Sequence, residues 1–351
     1  MDNNRKPDLL PEILLLKQEE CIKAGLLDMD LILRETENTF RMLGEGKVVQ
    51  PAKIFLPVPD FDHWTSYGMS MPSYIGGENE VIGFKWAAEA VDNVKMYKVP
   101  YGLDVVLLSD PKTMMPKAIL DGTITTAMRT SAAAGVCAKY TARKDSKIAA
   151  LIGAGVIGRT MIMAIAASVP SLEEIRIVDL DLAKAEALAA EFAEGGLYSV
   201  KPAVVPMSDV KAAVNEADLI VTETTARATF IRKDWLKPNC TAIQMESCSF
   251  DDDILLAADH VVLDSFEQIL HLNSPVRRLN EKGLFHEGDG VEIKDVVTGK
   301  APGRTSDDQF VFVETMGMGC VDIAIANMLY LRATEMGIGT KWTMWDDPLW
   351  V

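Results

Sequence analysis

The segment Gly153-Ala154-Gly155-Val156-Ile157-Gly158 is where residue type and spacing most directly imply chemistry. It follows the apolar run KIAALI and opens the run RTMIMAIAASV, so the glycines fall between a strand and a helix, the context that gives a GxGxxG turn its meaning. Gly153 permits the tight turn, Gly155 removes the Cβ that would block a pyrophosphate, and Gly158 lets helix and strand approach closely. The helix N-terminus then offers N–H groups and a positive dipole end to phosphates. The next strand, EEIRIVDLD, ends at Asp179, about twenty residues past the last glycine, where a ribose-reading acid belongs. A carboxylate there accepts both ribose hydroxyls and repels a 2′-phosphate, so NAD is expected over NADP. Asp181 is the alternative if the strand ends later, and Arg159 and Lys184 are cations that would soften the preference. Thr222 and Thr224 close DLIVTETT on the carboxyl edge of the sheet, where their hydroxyls either meet the cofactor or cap a turn. Gly317 is expected to let backbone pass close to the nicotinamide, or to serve with Gly319 as a turn before the last helix.

These residues need elements to position them. From Lys147 onward strands alternate with helices, which implies a parallel, doubly wound sheet ending in QFVFVETMG. The apolar stretch Ile148–Val169 has the length of a membrane span, but Arg159 and three glycines interrupt it, and it reads as strand, turn and helix. Residues 12–46 show helical periodicity that stops at Gly44 and Gly46. Residues 47–120 are short, β-rich and punctuated by Pro and Gly, the texture of a sheet domain. Residues 124–143 return to helix, and VDIAIANMLYLRATEMG predicts a helix that goes back to the first domain.

The 351 residues carry a formal net charge of −16, with 48% hydrophobic and 25% charged residues. Such a chain supports two domains with cores, and its acidity disfavours nucleic acid and anionic membrane as partners. The N-terminal MDNNRKPDLLPEILLL is too short in apolar residues for a signal peptide. Cys21, Cys137, Cys240, Cys248 and Cys320 are scattered, which reads as reduced thiols in a cytoplasmic protein. His63, His260, His271 and His286 lack ligand spacing, so no metal is expected, and Asp251-Asp252-Asp253 reads as acids welcomed at a helix N-terminus. The tryptophans at 342, 345 and 350 are expected to pack in the tail.

In its order of short segments the chain resembles the ornithine cyclodeaminase/mu-crystallin family over about residues 45 to 335. The segments are Met71-Pro72-Ser73-Tyr74, Gly83-Phe84-Lys85, Ala118-Ile119-Leu120-Asp121-Gly122, Met128-Arg129-Thr130-Ser131-Ala132-Ala133, the glycine turn, Val261-Val262-Leu263-Asp264-Ser265 and Gly317-Met318-Gly319-Cys320-Val321-Asp322. The resemblance implies an α/β fold of two parts. One is an α/β substrate-binding and dimerisation domain, residues 1–130 completed by 320–351. The other is a Rossmann NAD(P)-binding domain, residues 131–319. It also implies a homodimer. It places Lys85 and Arg129, and Lys53 where many members carry Arg, at the substrate carboxylate, and Thr130 and Arg129 at the cofactor. Lysine at 53 supplies charge without the bidentate geometry of arginine.

Removing a hydride from an amino acid leaves an iminium, and the amine must first lose a proton, a task for a buried carboxylate. The family's cyclodeaminases carry an Asp soon after the strand matching TAIQM; here Glu246 follows, as candidate general acid/base beside Lys85. The usual preceding glycine pair is replaced by Gln244 and Met245, and the Pro-Gly-Lys stretch of the ornithine enzymes is missing. Asp322 is a further residue to test near the active site. The expected function is therefore an NAD-dependent oxidoreductase of a small amino or imino acid. An ammonia-releasing ornithine or lysine cyclodeaminase and a non-catalytic crystallin-like NAD(P)-binding protein are the alternatives. Specificity is expected to lie in Pro59–Ser66 and Ala87–Pro100.

Overall fold

The computed structural model describes residues 10–58 and 66–349. Residues 1–9, residues 59–65 of the expected specificity segment with His63, and residues 350–351 with Trp350 lie outside the described residues. The chain forms two compact units, one from 1–27, 47–126 and 319–351, the other from 28–46 and 127–318.

In chain order, the elements begin with β1 (Glu12–Leu16), α1 (Gln18–Lys23) and α2 (Met29–Gly44). The expected single helical region is thus broken at its start. EILLL is a strand because it pairs parallel with Ala118–Leu120 and antiparallel with residues 340–343, and a short apolar run takes whichever partner the tertiary structure offers. Asp28 caps α2 by accepting from the Leu31 N–H at 3.0 Å. There follow β2 (Val48–Val49), β3 (Ile54–Pro57), β4 (Ser66–Ile75), β5 (Val81–Ala90), α3 (Asn93–Tyr97), β6 (Val105–Ser109), β7 (Pro116–Asp121) and α4 (Thr123–Thr141). Of the expected specificity segment 87–100, the first residues extend β5 and the middle forms α3.

The second unit then runs β8 (Ile148–Ile152), α5 (Val156–Ser168), β9 (Glu174–Val178), α6 (Leu182–Phe192), β10 (Ala203–Met207), α7 (Val210–Asn215), β11 (Leu219–Thr222), β12 (Thr241–Gln244), α8 (Asp252–Leu256), β13 (His260–Leu263), α9 (Phe266–Ile269), α10 (Pro275–Glu281), β14 (Val291–Glu292), α11 (Ile293–Val297) and β15 (Val311–Glu314). The chain closes with α12 (Gly319–Met336) and β16 (Thr340–Thr343), both in the first unit, as the helical run before the tail predicts.

The first unit's sheet has the order β16-β1-β7-β6-β5-β4-β2, with β3 paired to β4. Among the described residues β1–β7 is the only parallel pair in it. α12 packs across β4, β5 and β6 and buries one face. Strand alternation puts Lys85 on that face and Phe84 and Trp86 on the other, where both are exposed. The second sheet, β10-β9-β8-β11-β12-β15-β13-β14, is parallel throughout, and its strand order reverses between β8 and β11. Ligands bind such sheets outside the carboxyl ends at this switch point. Among the described residues no helix is long and apolar enough to cross a membrane. None of the five cysteines forms a disulfide. Trp342 and Trp345 are 47% and 40% exposed, so the tail does not bury them as expected: β16 is an edge strand with one neighbour.

Polar residues interrupt the apolar interior of the second sheet. Gln244 and Glu314 are register partners on β12 and β15, and both are fully buried. Glu314 Oε2 accepts from the Val276 N–H at 3.3 Å. Neither Glu314 Oε1 nor Gln244 Nε2 has a hydrogen-bond partner among the described residues. Burial pushes the Glu314 carboxyl up to about 8, against hydrogen bonds from Ser274 and Val276. In the unfolded chain it ionises in the ordinary range. The contribution of Glu314 to stability is therefore greatest at acid pH, falls as pH rises through the carboxylate range, and levels off beyond about 8. Glu314→Gln is expected to remove this slope: between about pH 5 and about pH 8 the wild type should lose more melting temperature than the variant, read by thermal denaturation. Parallel curves would contradict the assignment.

Candidate active site

The glycine turn lies where β8 meets α5. Gly153 has φ +123°, and a Cβ there would lie 2.2 Å from the Glu223 carbonyl oxygen, which follows β11. Only glycine fits so close to the neighbouring strand's exit. A Cβ at Gly158 would lie 2.3 Å from the Gly153 carbonyl oxygen, so this glycine lets the helix seat against the turn. Gly155 differs: its φ is −82°, and a Cβ would meet nothing within 4 Å. The third requirement of a phosphate-binding turn, open space before an N-terminus, is thus met. Val156 and Ile157 open α5, and its N-cap Gly155 brings no side chain to its N–H groups.

Asp179 comes directly after β9. Its carboxylate accepts from the Ala154 N–H and the Asp181 N–H, each at 3.0 Å, which turns it toward the glycine loop. Asp181 instead caps α6 through the Ala183 N–H at 3.2 Å. Arg159 is held by Glu191 through two contacts of 2.5 Å, while Lys184 is exposed. On α4, the Ser131 hydroxyl donates to the Ile157 carbonyl at 3.3 Å and lies 2.7 Å from Thr160 Oγ1, which fixes this helix beside the first turn of α5. The neighbouring Thr130 Oγ1 is buried with no hydrogen-bond partner among the described residues. An open glycine turn, an uncapped helix start, an orphaned hydroxyl and an oriented acid together fit the diphosphate and ribose of a dinucleotide.

At the carboxyl edge, Thr222 is buried and donates to Glu246 Oε2 at 3.3 Å, and Ser249 donates to Oε1. Thr224 Oγ1 lies 3.4 Å from the Ser249 hydroxyl. Glu246 is therefore a half-buried carboxylate tied into a line of hydroxyls. Burial pushes its carboxyl above the usual range, with the Ser249 and Thr222 bonds pulling the other way. Such a group exchanges a proton nearer neutrality than a surface acid does. Arg129 is buried on α4, 7% exposed. Gly317, at φ +81°, leaves room for its guanidinium, since a Cβ there would lie 2.4 Å from Nη1. The close approach at Gly317 is thus to an arginine of the same unit. Both Met316 N–H and Gly317 N–H donate to Asp264 Oδ2, at 2.7 and 2.8 Å, which shapes this loop.

In the first unit, Lys85 is 1% exposed and its Nζ lies 3.0 Å from Thr126 Oγ1, 3.1 Å from Asp322 Oδ1 and 3.5 Å from Asp104 Oδ2. Thr126 donates in turn to Asp104 Oδ2 at 2.5 Å. Met71 faces Lys85 from β4, and extending the β3–β4 register sets Lys53 opposite Met71, on the same sheet face as Lys85. A Cβ at Gly319 would lie 2.9 Å from the Met71 carbonyl oxygen, so α12 starts hard against this strand. Asp104, Thr126 and Ser249 escaped the sequence reading. The only trace of Asp104 is an acid at the mouth of the apolar strand VVLLS, and nothing marks the other two. Asp252 of the acidic triplet pairs with Arg278 and Lys282 rather than converging with other acids. Among the described residues no group of three or more His, Cys, Asp or Glu side chains is arranged to hold a metal.

The two kinds of glycine separate stability from binding. Gly155→Ala meets ordinary backbone and open space, so its melting temperature should match or slightly exceed that of the wild type. Its affinity for NAD should fall by about tenfold or more, because the added methyl occupies the cradle. Gly153→Ala should instead lower the melting temperature. Calorimetry and NAD titration check both, and wild-type NAD affinity in a folded Gly155→Ala would contradict the cradle.

The model of the ornithine cyclodeaminase/mu-crystallin family matches residues 15–337. The N-((2S)-2-amino-2-carboxyethyl)-L-glutamate dehydrogenase of Staphylococcus aureus is 27% identical over 94% of this chain and 98% of its own length. The Δ1-pyrroline-2-carboxylate reductase of Thermococcus litoralis, solved with NADH and L-proline, is 29% identical with a TM-score of 0.83, covering 93% of this chain and 99% of that one. An archaeal alanine dehydrogenase dimer with bound NAD is 26% identical with a TM-score of 0.84, covering 95% of this chain and all (100%) of that one. A sequence match of this extent, on a parallel sheet whose switch point carries the glycine turn, establishes that the chain belongs to the ornithine cyclodeaminase/mu-crystallin family.

Proposed function

We propose that this protein is an NAD-dependent oxidoreductase of a small amino or imino acid, either an amino-acid dehydrogenase or an imine reductase. The observation that carries the reading is Glu246, a half-buried carboxylate held by Thr222 and Ser249 at the carboxyl edge of a dinucleotide-type sheet. The relatives described above, two dehydrogenases and a reductase of amino or imino acids, support it.

A bound dinucleotide would supply the acceptor or donor for the hydride exchanged at the substrate's α-carbon. Gly153 to Gly158 with Thr130 would hold its diphosphate, Asp179 its ribose, and Thr222 and Thr224 would line its approach. Glu246 accepts the proton from the substrate amine in the oxidative direction and gives it back in the reductive one. Arg129 offers a planar carboxylate two parallel hydrogen bonds. Lys53 and Lys85 are positive charges that also suit a carboxylate, which a chain of net charge −16 must supply locally. The second unit is thus the cofactor domain and the first the substrate domain. The first is also the dimerisation domain: Ile54, Leu56, Phe84, Trp86 and Val105 are exposed on the sheet face opposite Lys85. An apolar sheet face of this kind fits a second copy.

Purified protein with NAD and a panel of L-amino acids, followed at the NADH band and assayed for ammonia, tests the function. Net NADH is expected with at least one substrate, or NADH consumption with the matching imino acid. Ammonia from ornithine or lysine without net NADH would replace the reading by a cyclodeaminase. Silence in both directions would overturn it. Glu246→Gln should lower kcat by about 10²–10⁴ with the fold intact, as loss of a positioned acid/base does. Trp86→Glu should convert a dimer to a monomer in sedimentation, and a monomeric wild type would refute the dimer.

A further inference from the structure

Lys85 has three ammonium hydrogens and three oxygen neighbours, and these are not equivalent. Asp322, fully buried on α12, is the nearer anion, at 3.1 Å. Asp104 is the more distant, at 3.5 Å, and its carboxylate is provided for without the lysine. Its Oδ2 takes the Thr126 hydroxyl at 2.5 Å, and its Oδ1 takes the Ala88 N–H at 3.3 Å. Because Thr126 spends its hydrogen on Asp104, it offers Lys85 a lone pair and so holds both residues in place. A buried ammonium with every hydrogen directed at protein oxygen has none left for a ligand.

We propose that Asp104 occupies the position on Lys85 that a substrate carboxylate takes, so that binding an amino or imino acid exchanges one carboxylate for another. The proposal rests on the reading of Lys85 as a substrate anchor. Asp322 and Thr126 keep the ammonium in place throughout the exchange. Asp104, left in a buried position without its cation, takes a proton from solvent on a carboxylate oxygen and becomes neutral. One anion enters and one proton follows, so the net charge around Lys85 does not change.

The surroundings favour that proton. The charged groups facing Asp104 are Lys85 and Glu89 from β5 and Asp322 from α12. Burial already holds its carboxyl above the usual range. Lys85 and the Thr126 bond pull it down, and Glu89 and Asp322 push it up. An arriving carboxylate adds a further like charge and cancels the pull of Lys85. Affinity for a carboxylate ligand should therefore fall as pH rises through the range in which Asp104 is ionised in the free protein. Asp104 is in this sense an affinity-setting residue that acts through Lys85.

The probe is pyrrole-2-carboxylate, a planar ring acid that NADH does not reduce, titrated calorimetrically into NADH-loaded protein in buffers of differing ionisation enthalpy. Wild type should take up close to one proton per ligand and bind more weakly at higher pH. Asp104→Asn, which keeps the hydrogen-bonding shape without the competing charge, should lose the proton uptake. At alkaline pH it should bind about tenfold tighter, the equivalent of one pKa unit. Binding to wild type without proton uptake would overturn the proposal with no variant needed, as would Asp104→Asn that binds with wild-type affinity and uptake. Failure of every form to bind would overturn it too. Lys85→Met separates the two levels. If it alone loses binding while Asp104→Asn behaves as wild type, Lys85 is the anchor and the exchange is wrong. If Lys85→Met binds as wild type does, the anchor reading itself fails.

Discussion

An ammonium buried to 1% exposure is the constraint around which the first unit is built. Taking such a group out of water costs several kcal/mol unless charges and hydrogen bonds surround it. Lys85 lies in the middle of a strand, so the partners must come from elements that are distant in sequence. Asp322 comes from α12, Asp104 from the approach to β6, and Thr126 from the first turn of α4. Each partner is fixed in turn. The Gly122 N–H donates to the Asp104 carbonyl at 2.8 Å, and the Asp104 N–H donates to Thr123 Oγ1 at 3.2 Å, which ties the start of α4 to the same point. The last long helix of the chain thus completes a sheet that begins near residue 12, because the charge on that sheet needs a carboxylate from it.

The second unit handles buried acids in two ways, and the difference follows the polarity of the sheet. At the amino edge, Asp218 precedes β11 and is 4% exposed. Burial pushes its carboxyl up, but Lys237 at 2.7 Å and the Lys147 and Ile148 N–H groups prevail and hold it below the usual range. It is a structural anion. At the carboxyl edge, Glu246 and Glu314 have neutral partners and are held above the usual range by burial. Groups poised to gain and lose protons thus collect where a parallel sheet binds its ligands.

Much of this was legible in the residues. The strand-turn-helix around Gly153 is local, so its periodicity and glycine spacing carry the full information. The same holds for the alternating elements after Lys147. The first strand differs from the helix that the sequence predicts because EILLL has no periodicity of its own and becomes a strand only by pairing with β7 and β16, more than a hundred residues away. Lys85 and Asp322 stood out only through resemblance. Asp104 and Thr126 stood out not at all, since an acid before an apolar strand and a threonine in a helix acquire meaning only when folding brings a lysine beside them. Asp218 and Glu246 likewise differ in neighbours and not in local pattern.

In the proposed reaction hydride passes between a nicotinamide and the α-carbon of an amino or imino acid. The most direct test uses NADH deuterated at both C4 positions, mixed with protein and either Δ1-pyrroline-2-carboxylate or pyruvate with ammonia, with the product examined by NMR. One deuterium is expected at the α-carbon of the amino-acid product. An amino acid carrying protium at that carbon, or NADH that keeps both deuterons while substrate is consumed, would contradict it.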